Sequence, residues 1–426
     1  MQLMPYQQVG AQFLSQRRKA LLADGMGVGK TAQAIIAANM VNAARVAVIC
    51  PAIARINWER EWKKWGGKAL LRVYSYDVVA AKQQTRDAIA EFHPDVLILD
   101  EAHYLKSRTA KRTKAIYGPR CNNTGVASKA ERVWLLTGTP CPNNASELYT
   151  HLAALWPELI LSNGKCVNFA TFLNRYCQLI PSPFGPKIVG NKNPEELRSI
   201  LNKIILRRRV EDVLPDLPPM MWNEVAIEPI EIVPELEALE HDPIIQEIKR
   251  QIVTDGDLRS IEAHVTTMRR LIGTAKAGAA AKLIADELEN KAYEKIVVFA
   301  QHKDVIKRLA QDLSQWRPVV VSGEVSKERR QEAIDKFQSE SETRVFIGQT
   351  QACATAITLH AANQVIFVEA SWTPSDNAQA AKRCHRIGQH RPVFVRVLGL
   401  ANSIDETVAK ALARKSKAIS QLIEES

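Results

Sequence analysis

The sequence predicts an α/β protein with two blocks of parallel sheet, each covered by helices, and with helical insertions between the blocks. Short apolar runs alternate with helix-like stretches over the first 140 residues, and the alternation resumes after residue 294. Apolar runs closed by turn-forming residues are typical of strands buried on both faces of a parallel sheet. Between the blocks, residues 141–275 are less regular and mostly helical, with a break rich in proline and glycine at 181–186.

The elements of both blocks follow from this alternation. The predicted strands are residues 20–23, 45–50, 95–99 and 133–136 in the first block, and 295–300, 319–321, 344–347, 365–368 and 393–397 in the second. One helix is predicted to end near Gln16 and another to cover residues 32–38. Trp58, Trp62 and Trp65 recur at helical spacing, which we interpret as the face of a helix that packs on a core.

The composition is that of a globular protein with a basic surface. The 426 residues are 46% hydrophobic and 24% charged, and 57 Lys and Arg against 46 Asp and Glu give a net charge of +11. A chain of this length holds about two or three domains, and the basic excess favours a polyanionic partner over a merely basic surface.

The cysteines and the hydropathy of the chain indicate its cellular compartment, the cytoplasm. None of the seven cysteines forms a Cys-x-x-Cys pair, which argues against a zinc site. An odd number of cysteines without a signal peptide indicates reduced thiols. With no apolar run long enough to span a bilayer, we expect a cytoplasmic protein.

A glycine-rich turn joins the first predicted strand to the following helix. Residues 24–31 are Asp-Gly-Met-Gly-Val-Gly-Lys-Thr, and we call this segment the glycine loop. Strand, glycine-rich turn and helix together are the context of a phosphate-binding loop, in which backbone N–H groups and a helix N-terminus face phosphate oxygens. Lys30 would reach the β- and γ-phosphates, and the Thr31 hydroxyl would bind Mg²⁺. The alternative is a glycine-rich turn with an exposed lysine.

The nucleotide contacts expected from this loop come from seven successive residues: Gly25, Met26, Gly27, Val28, Gly29, Lys30 and Thr31. A pair of carboxylates, Asp100 and Glu101, follows the strand predicted over 95–99. Carboxylates at the carboxyl end of such a strand lie where α/β sheets bind ligands. Asp100 would hold Mg²⁺ through water and Glu101 would polarise an attacking water, although a lone pair of this kind is more often a solvated turn.

These segments together resemble the Swi/Snf family of DNA-dependent ATPases within the superfamily-two helicases, over nearly the whole chain and in the family's order. The matching segments are Pro5-Tyr6-Gln7, Asp24 to Thr31, Asp100-Glu101-Ala102-His103 with Leu105-Lys106, Leu136-Thr137-Gly138-Thr139-Pro140, Pro142-Asn143-Asn144, Glu147-Leu148, Leu206-Arg207-Arg208 with Asp212-Val213 and Leu217-Pro218, and Gln379-Ala380 with Arg383 to Gln389. The resemblance implies ATP and Mg²⁺ as cofactors, a DEAH box at 100–103 and a role for Gln7 in reading adenine. Asp24 follows the family, whereas Gly25 stands where the family usually has Glu.

The second block contributes the most specific segment of the resemblance, Arg383-Cys384-His385-Arg386-Ile387-Gly388-Gln389. The resemblance implies that Arg383 and Arg386 are catalytic fingers that reach ATP from the second lobe. A guanidinium fork near the γ-phosphate would stabilise the charge of the transition state. Because the two arginines are three residues apart, we expect them on one face of a helix. The alternative is a basic helix at the surface.

Two further segments refine the resemblance. After Gly348, residues 350–359 contain no glycine, although the family is glycine-rich there. The approach of the backbone to DNA or nucleotide at 353–356 is therefore expected to differ. Similar glycine loss, together with Ser371-Trp372-Thr373-Pro374, resembles the branch of annealing helicases and fork-remodelling translocases. Because little of the chain lies outside the motor, the resemblance favours a compact bacterial or phage protein, in the cytoplasm of a bacterium or an infected host.

The implied architecture is two RecA-like lobes. We expect residues 1–140 to form the first lobe, completed by 206–229, with helical insertions at 141–205 and 230–275. Residues 276–426 would form the second lobe.

The implied activity is an ATP-dependent motor on double-stranded or forked DNA, with contacts mainly to phosphates and no base-reading module. The basic cluster at residues 207–209 would contact phosphate beside a DNA groove, or else lie on a solvated face. Two alternatives remain open: a helicase that separates strands of DNA or RNA, and a DNA-binding scaffold without enzymatic activity.

Overall fold

The protein divides into two compact units, Met1–Leu214 and Pro215–Ser426. The computed structural model describes residues 2–138, 144–162, 164–181, 186–230, 266–353 and 357–425. Among these residues no helix is both long enough and apolar enough to cross a membrane.

The first unit contains a six-stranded sheet in which all neighbouring strands are parallel. Its strands are β1 (Lys19–Leu22), β2 (Arg45–Cys50), β3 (Leu70–Ser75), β4 (Val96–Asp100), β5 (Arg132–Leu136) and β10 (Ile205–Leu206). Their order across the sheet is β10-β1-β5-β4-β2-β3. The helices of this unit are Pro5–Ser15, Lys30–Met40, Arg55–Lys64, Tyr76–Ala81, Gln83–Phe92, Lys111–Tyr117, Tyr149–Leu155, Phe169–Tyr176, Pro194–Leu201 and Val210–Val213.

The sequence predicted a helical insertion at residues 141–205. The structure differs, because residues 144–201 contain strands as well as helices. Two antiparallel hairpins lie among the helices: β6 (Leu161–Ser162) with β7 (Lys165–Cys166), and β8 (Cys177–Ile180) with β9 (Lys187–Asn191). The helices of this region place Leu152, Phe172 and Tyr176 in the same apolar core as the strands of the first sheet. The region is therefore part of the first unit, because its described apolar side chains share that core.

The second unit repeats the all-parallel arrangement. Its strands are β11 (Met220–Ile227), β12 (Ile296–Ala300), β13 (Val319–Val321), β14 (Val345–Gln349), β15 (Gln364–Phe367) and β16 (Val393–Leu400). Their order is β11-β16-β15-β12-β14-β13. Its helices are Thr266–Glu289, Lys303–Asp312, Lys327–Ser339, Thr350–Cys353, Pro374–Ala381 and Ile404–Glu425. The predicted fold class, two parallel-sheet lobes, is thus confirmed.

The predicted extent of the first lobe needs one correction. Residues 206–229 were expected to complete that lobe, and β10 does pair with β1. Strand β11, however, pairs along its length with β16, from Met220 opposite Val393 to Ile227 opposite Leu400, and so completes the second sheet. A partly buried edge strand looks the same in sequence whichever sheet it joins, so the pattern alone could not decide.

The second predicted insertion, residues 230–275, lies largely outside the described residues. Its described end belongs to the helix Thr266–Glu289. That helix buries Ala277 and Ala280 in the core of the second unit. The small side chains let the helix pack closely on the sheet.

Candidate functional site

Four segments of the first unit leave neighbouring strands at one edge of the sheet. Strands β10, β1, β5 and β4 lie side by side, and the carboxyl ends of parallel strands share an edge. The segments that follow these strands contain Arg208 after β10, the glycine loop after β1, Thr137 after β5, and Asp100 with Glu101 at the end of β4. The fold therefore brings together residues that are far apart in the chain.

The glycine loop owes its conformation to glycine at three positions. Gly27 and Gly29 have φ angles of 83° and 79°, a region that L side chains rarely adopt. Gly29 is the N-cap of the helix Lys30–Met40, so the loop leads directly into a helix N-terminus. A Cβ on Gly25 would lie 2.5 Å from Cγ2 of Val210, which leaves no room for a side chain there. Met26 and Val28 are buried and anchor the loop.

The side chain of Lys30 lies within the curve of the glycine loop. Its Nζ donates hydrogen bonds of 2.8 Å to the backbone oxygens of Asp24 and Gly25. A Cβ on Gly138, just after β5, would lie 3.6 Å from the same nitrogen. Thr31 follows in the first turn of the helix and is partly exposed. The ammonium group and the hydroxyl are thus presented at the same sheet edge as Asp100.

Gln7 fixes the glycine loop to the first helix. Its Nε2 donates to the backbone oxygen of Val28 at 3.1 Å, and the hydroxyl of Tyr6 donates to the same oxygen at 3.0 Å. The Gln7 Oε1 accepts from the backbone N–H of Met4 at 3.0 Å, and the residue is only 4% exposed. Both ends of this amide are thus engaged by the protein, which gives Gln7 a bracing role beside the predicted adenine contact.

Asp24 and Arg208 form a buried ion pair beneath the loop. Nε of Arg208 donates to Oδ1 of Asp24 at 3.0 Å and Nη2 donates to Oδ2. The Arg208 guanidinium also donates to Oε1 of Gln33 and to the backbone oxygen of Tyr6. The Asp24 side chain is fully buried and that of Arg208 is 15% exposed. Both alternatives predicted for the basic cluster at 207–209, a DNA phosphate contact and a solvated face, are wrong for Arg208, because its guanidinium pairs with the buried carboxylate of Asp24.

Asp100 is held at three of its atoms. Nε1 of Trp58 donates to Oδ2 at 2.8 Å, the backbone N–H of Glu101 donates to Oδ1 at 3.0 Å, and the Tyr76 hydroxyl donates to the backbone oxygen at 2.9 Å. Burial, followed by the nearby charge of Glu101, raises the pKa of Asp100 to about 6, while the bond from Trp58 and the charge of Lys30 act in the opposite direction. The carboxylate is consequently fixed in orientation at the sheet edge.

Glu101 leaves the strand in a left-handed backbone conformation, with φ of 51°. Its Oε2 lies 3.2 Å from Nδ1 of His103, and that nitrogen lies 3.2 Å from Oγ1 of Thr137. The Glu101 side chain is 17% exposed. A carboxylate that is partly open to solvent and oriented by a histidine can accept a proton from, or orient, a water molecule.

The oxygen donors at this edge fit Mg²⁺. Magnesium is bound in nucleotide sites through one or two protein oxygens and keeps water and phosphate ligands. Thr31 and Asp100 supply one hydroxyl and one carboxylate of this kind. Within the described part of the chain, no three His, Cys, Asp or Glu side chains cluster to hold a metal by themselves. The residues present thus match a metal that arrives with a phosphate ligand.

The prediction that Arg383 and Arg386 lie on one face of a helix is wrong. The helix Pro374–Ala381 ends before them, and residues 382–388 form a series of turns in the second unit. Arg383 is buried at 6% exposure. Nη1 of Arg386, which is more exposed, donates at 2.7 Å to the backbone oxygen of Ile357 and to Oγ1 of Thr358. The helix ends because successive N–H groups bond three residues back, as in tight turns.

Gln389 organises the segment that contains the two arginines. Its Nε2 donates to the backbone oxygens of His360, Ala362 and Cys384, and its Oε1 accepts from the backbone N–H groups of residues 390 and 391. Saturation of the whole amide fixes these turns without a regular helix.

Several predicted segments fall outside the described residues: Thr139 and Pro140, residues 141–143, and residues 354–356 of the glycine-poor stretch. At its described edge, a Cβ on Gly348 would lie 2.8 Å from Sγ of Cys353. The retained glycine at 348 is therefore required by close packing in the second unit.

The bonds that Trp58 and Arg208 make to Asp100 and Asp24 were not predicted from the sequence. For Arg208 a signal existed, because a carboxylate inside a glycine-rich loop implies a cationic partner elsewhere in the chain. For Trp58 the spacing indicated a core position, which is correct for Trp58 and Trp62 at 1% and 5% exposure. That spacing held no information about the hydrogen bond to Asp100.

Comparison with known proteins identifies two domains. Residues 6–88 and 74–229 match the SNF2-related domain, a span of more than half of the chain. Residues 279–388 match the helicase conserved C-terminal domain. The first match extends over β11, although that strand pairs in the second sheet.

Individual proteins are similar over nearly the whole chain. The SWI/SNF-related matrix-associated actin-dependent regulator of chromatin subfamily A-like protein 1 of Drosophila melanogaster is 29% identical over 99% of this chain and 56% of its own length. The DNA annealing helicase and endonuclease ZRANB3 of Mus musculus is 30% identical over 97% of this chain and 40% of its own length. The solved Sulfolobus solfataricus SWI2/SNF2 ATPase core in complex with dsDNA is 24% identical, covers 100% of this chain and 94% of its own, and has a TM-score of 0.44.

The chain thus spans about half the length of the curated relatives it matches. On the match of the SNF2-related domain to residues 6–229, the protein belongs to the SNF2-related family.

Proposed function

We propose that the protein is a motor that hydrolyses ATP to ADP and phosphate and uses the reaction to remodel double-stranded or forked DNA or its protein complexes. The observation that supports this function most strongly is the convergence of Lys30, Asp100 and Glu101 at one edge of the first sheet. Each of the three has a separate part in phosphoryl transfer.

Within this proposal, the N–H groups of the glycine loop and the ammonium group of Lys30 bind the phosphate groups of ATP. Thr31 and Asp100 hold Mg²⁺, which neutralises charge on the phosphate oxygens when it is bound. Glu101 orients the attacking water, with His103 holding its carboxylate. Gln7 and Tyr6 keep the loop in place from the side of Val28.

The proposal also includes Arg383 and Arg386 as the residues of the second unit that stabilise charge on the γ-phosphate. Arg386 is the better candidate of the two, since it is the more exposed, whereas Arg383 is buried. Its bonds to Ile357 and Thr358 orient the guanidinium.

DNA is proposed as the partner on two grounds. The net charge of +11 favours a polyanion, and the mouse relative is named a DNA annealing helicase. We infer contacts mainly to phosphates, so binding should tolerate sequence and weaken with salt. A cytoplasmic location is part of the proposal and is supported by free thiols at all six described cysteines.

The experiment that tests the function combines three assays on the purified chain: ATP hydrolysis with and without DNA, displacement of a triplex strand, and unwinding of a fork. The proposal predicts DNA-stimulated hydrolysis and triplex displacement. Unwinding of DNA or RNA without triplex displacement would favour a strand-separating helicase. DNA binding without ATP hydrolysis would overturn the proposal in favour of a scaffold.

A further inference from the structure

Residues 206–210 are attached to the glycine loop through backbone and side chains alike. The backbone N–H of Ala23 donates to the oxygen of Leu206 at 2.8 Å, and that of Gly25 donates to the oxygen of Arg208 at 3.1 Å. Cγ2 of Val210 occupies the space where a Cβ on Gly25 would be. The loop and this segment therefore form one packed structure.

The Arg208 side chain ties three separate elements to that structure. It donates to Asp24 in the loop, to Gln33 in the helix Lys30–Met40 and to the backbone oxygen of Tyr6 in the helix Pro5–Ser15. The carboxylate of Asp24 is fully buried, so water cannot take the place of Arg208 as its partner. Only a planar guanidinium supplies several donors in these directions at once, which a lysine cannot do.

The same segment continues into the second unit. After Arg208 the chain forms the short helix Val210–Val213 and leaves the first unit at Leu214. Pro215 is the first residue of the second unit. The glycine loop is thus in direct contact with the segment that leads to the covalent connection between the units.

We propose that Arg208 is a positioning residue that ties the glycine loop to residues 208–214, so that changes at the nucleotide site reach the second unit through this connection. The inference rests on the proposed ATPase function and adds a specific route by which ATP and DNA sites influence each other. Thermodynamic coupling between two sites needs an element whose state both sites affect, and in this proposal residues 206–214 are that element.

The test measures ATP hydrolysis without DNA and with saturating duplex DNA, and takes the ratio of the two rates. Arg208→Lys keeps the charge but loses the fork, and it retains Lys30, Asp100 and Glu101. We expect the ratio to fall by about 10-fold, a typical size for coupling between sites. The matched control is Gln7→Ala, which removes side-chain bonds to Met4, Tyr6 and Val28 while Arg208 keeps its bond to Asp24, and which should lower both rates by the same factor.

A second pair of variants tests the inference even if Arg208→Lys does not fold. Gly25→Ala should clash with Val210 and lower the ratio, and Val210→Ala in the same chain should restore it. Two results together would overturn the inference: an equal loss of both rates in Arg208→Lys, and a failure of Val210→Ala to restore the ratio in the Gly25→Ala variant. Absence of DNA stimulation in the wild-type protein would instead overturn the proposed function.

Discussion

The indole nitrogen of Trp58 donates a hydrogen bond of 2.8 Å to Oδ2 of Asp100. Trp58 is 1% exposed, on the helix Arg55–Lys64, whereas Asp100 ends β4. A residue of the apolar core therefore orients the carboxylate that is proposed to hold Mg²⁺. Such outer contacts commonly tune the affinity of a metal site.

Replacement of Trp58 by Phe should raise the Mg²⁺ concentration needed for half-maximal nucleotide binding by about 10-fold. A smaller aromatic ring remains in the core, but the donor to Asp100 is lost, so the carboxylate is less well oriented. Equilibrium titration of a fluorescent ATP analogue against Mg²⁺ measures the effect. Trp65→Phe is the matched control, because Trp65 bonds to Glu61 rather than to Asp100. An unchanged Mg²⁺ dependence in Trp58→Phe would show that the bond is only structural.

Glu101→Gln should bind ATP and Mg²⁺ normally but leave ATP uncleaved. Asp100 and the glycine loop are untouched, whereas the amide cannot take a proton from water. Filter binding and single-turnover hydrolysis of labelled ATP separate these two steps. Lys30→Ala is the comparison variant: it should abolish turnover without unfolding the chain, since the ammonium lies in a loop rather than in the core. Failure of Glu101→Gln to bind ATP would assign the residue a structural role.

Arg386→Lys should lower the catalytic rate far more than it lowers ATP affinity. The first unit is proposed to supply most contacts to bound ATP, whereas the guanidinium fork would act on the transition state, where a finger contributes on the order of 10³-fold. Nucleotide-free DNA affinity should barely change. If Arg386 contacts the DNA backbone instead, Arg386→Ala would weaken DNA binding and flatten its salt dependence, with an intact rate at saturating DNA.

His151 should make the first unit sensitive to acid. Burial, with a smaller effect from the charge of His103, lowers the pKa of His151 to about 3 from its ordinary 6.5. The unfolded chain takes up this proton near pH 6.5 and the folded chain does not, so stability present above pH 6.5 is lost as the pH falls toward 3. The loss between pH 6.5 and 5 should be about 2 kcal/mol.

Urea denaturation at pH 7 and pH 5 measures this loss, with His151→Gln as the comparison. The Tyr117 hydroxyl lies 2.8 Å from Nδ1 of His151. The side-chain amide of a glutamine at this position can still accept a hydrogen bond from that hydroxyl, but it does not titrate. The variant should therefore lose less stability than the wild-type protein between the two pH values. An equal loss in both proteins would assign the acid sensitivity to other groups.

The sequence predicted the elements that depend on local pattern. Apolar runs predicted β4 and β5 because strands buried on both faces are continuous in hydrophobicity. The glycine loop was predictable because Gly27 and Gly29 adopt angles that other residues avoid. Partners that are distant in the chain were not predictable. Arg208 meets Asp24 only because β10 pairs with β1, and β11 joins the second sheet by a pairing with β16 that no local pattern records.

The most direct measurement of the central claim is the rate of ATP hydrolysis by the wild-type chain with and without duplex DNA, over a series of salt concentrations. The account predicts that DNA raises the rate, and that the DNA concentration for half-maximal stimulation increases steeply with salt, because phosphate contacts release counterions. The Glu101→Gln variant provides the background rate. A wild-type rate that is above this background but indifferent to DNA at every salt concentration would contradict the account.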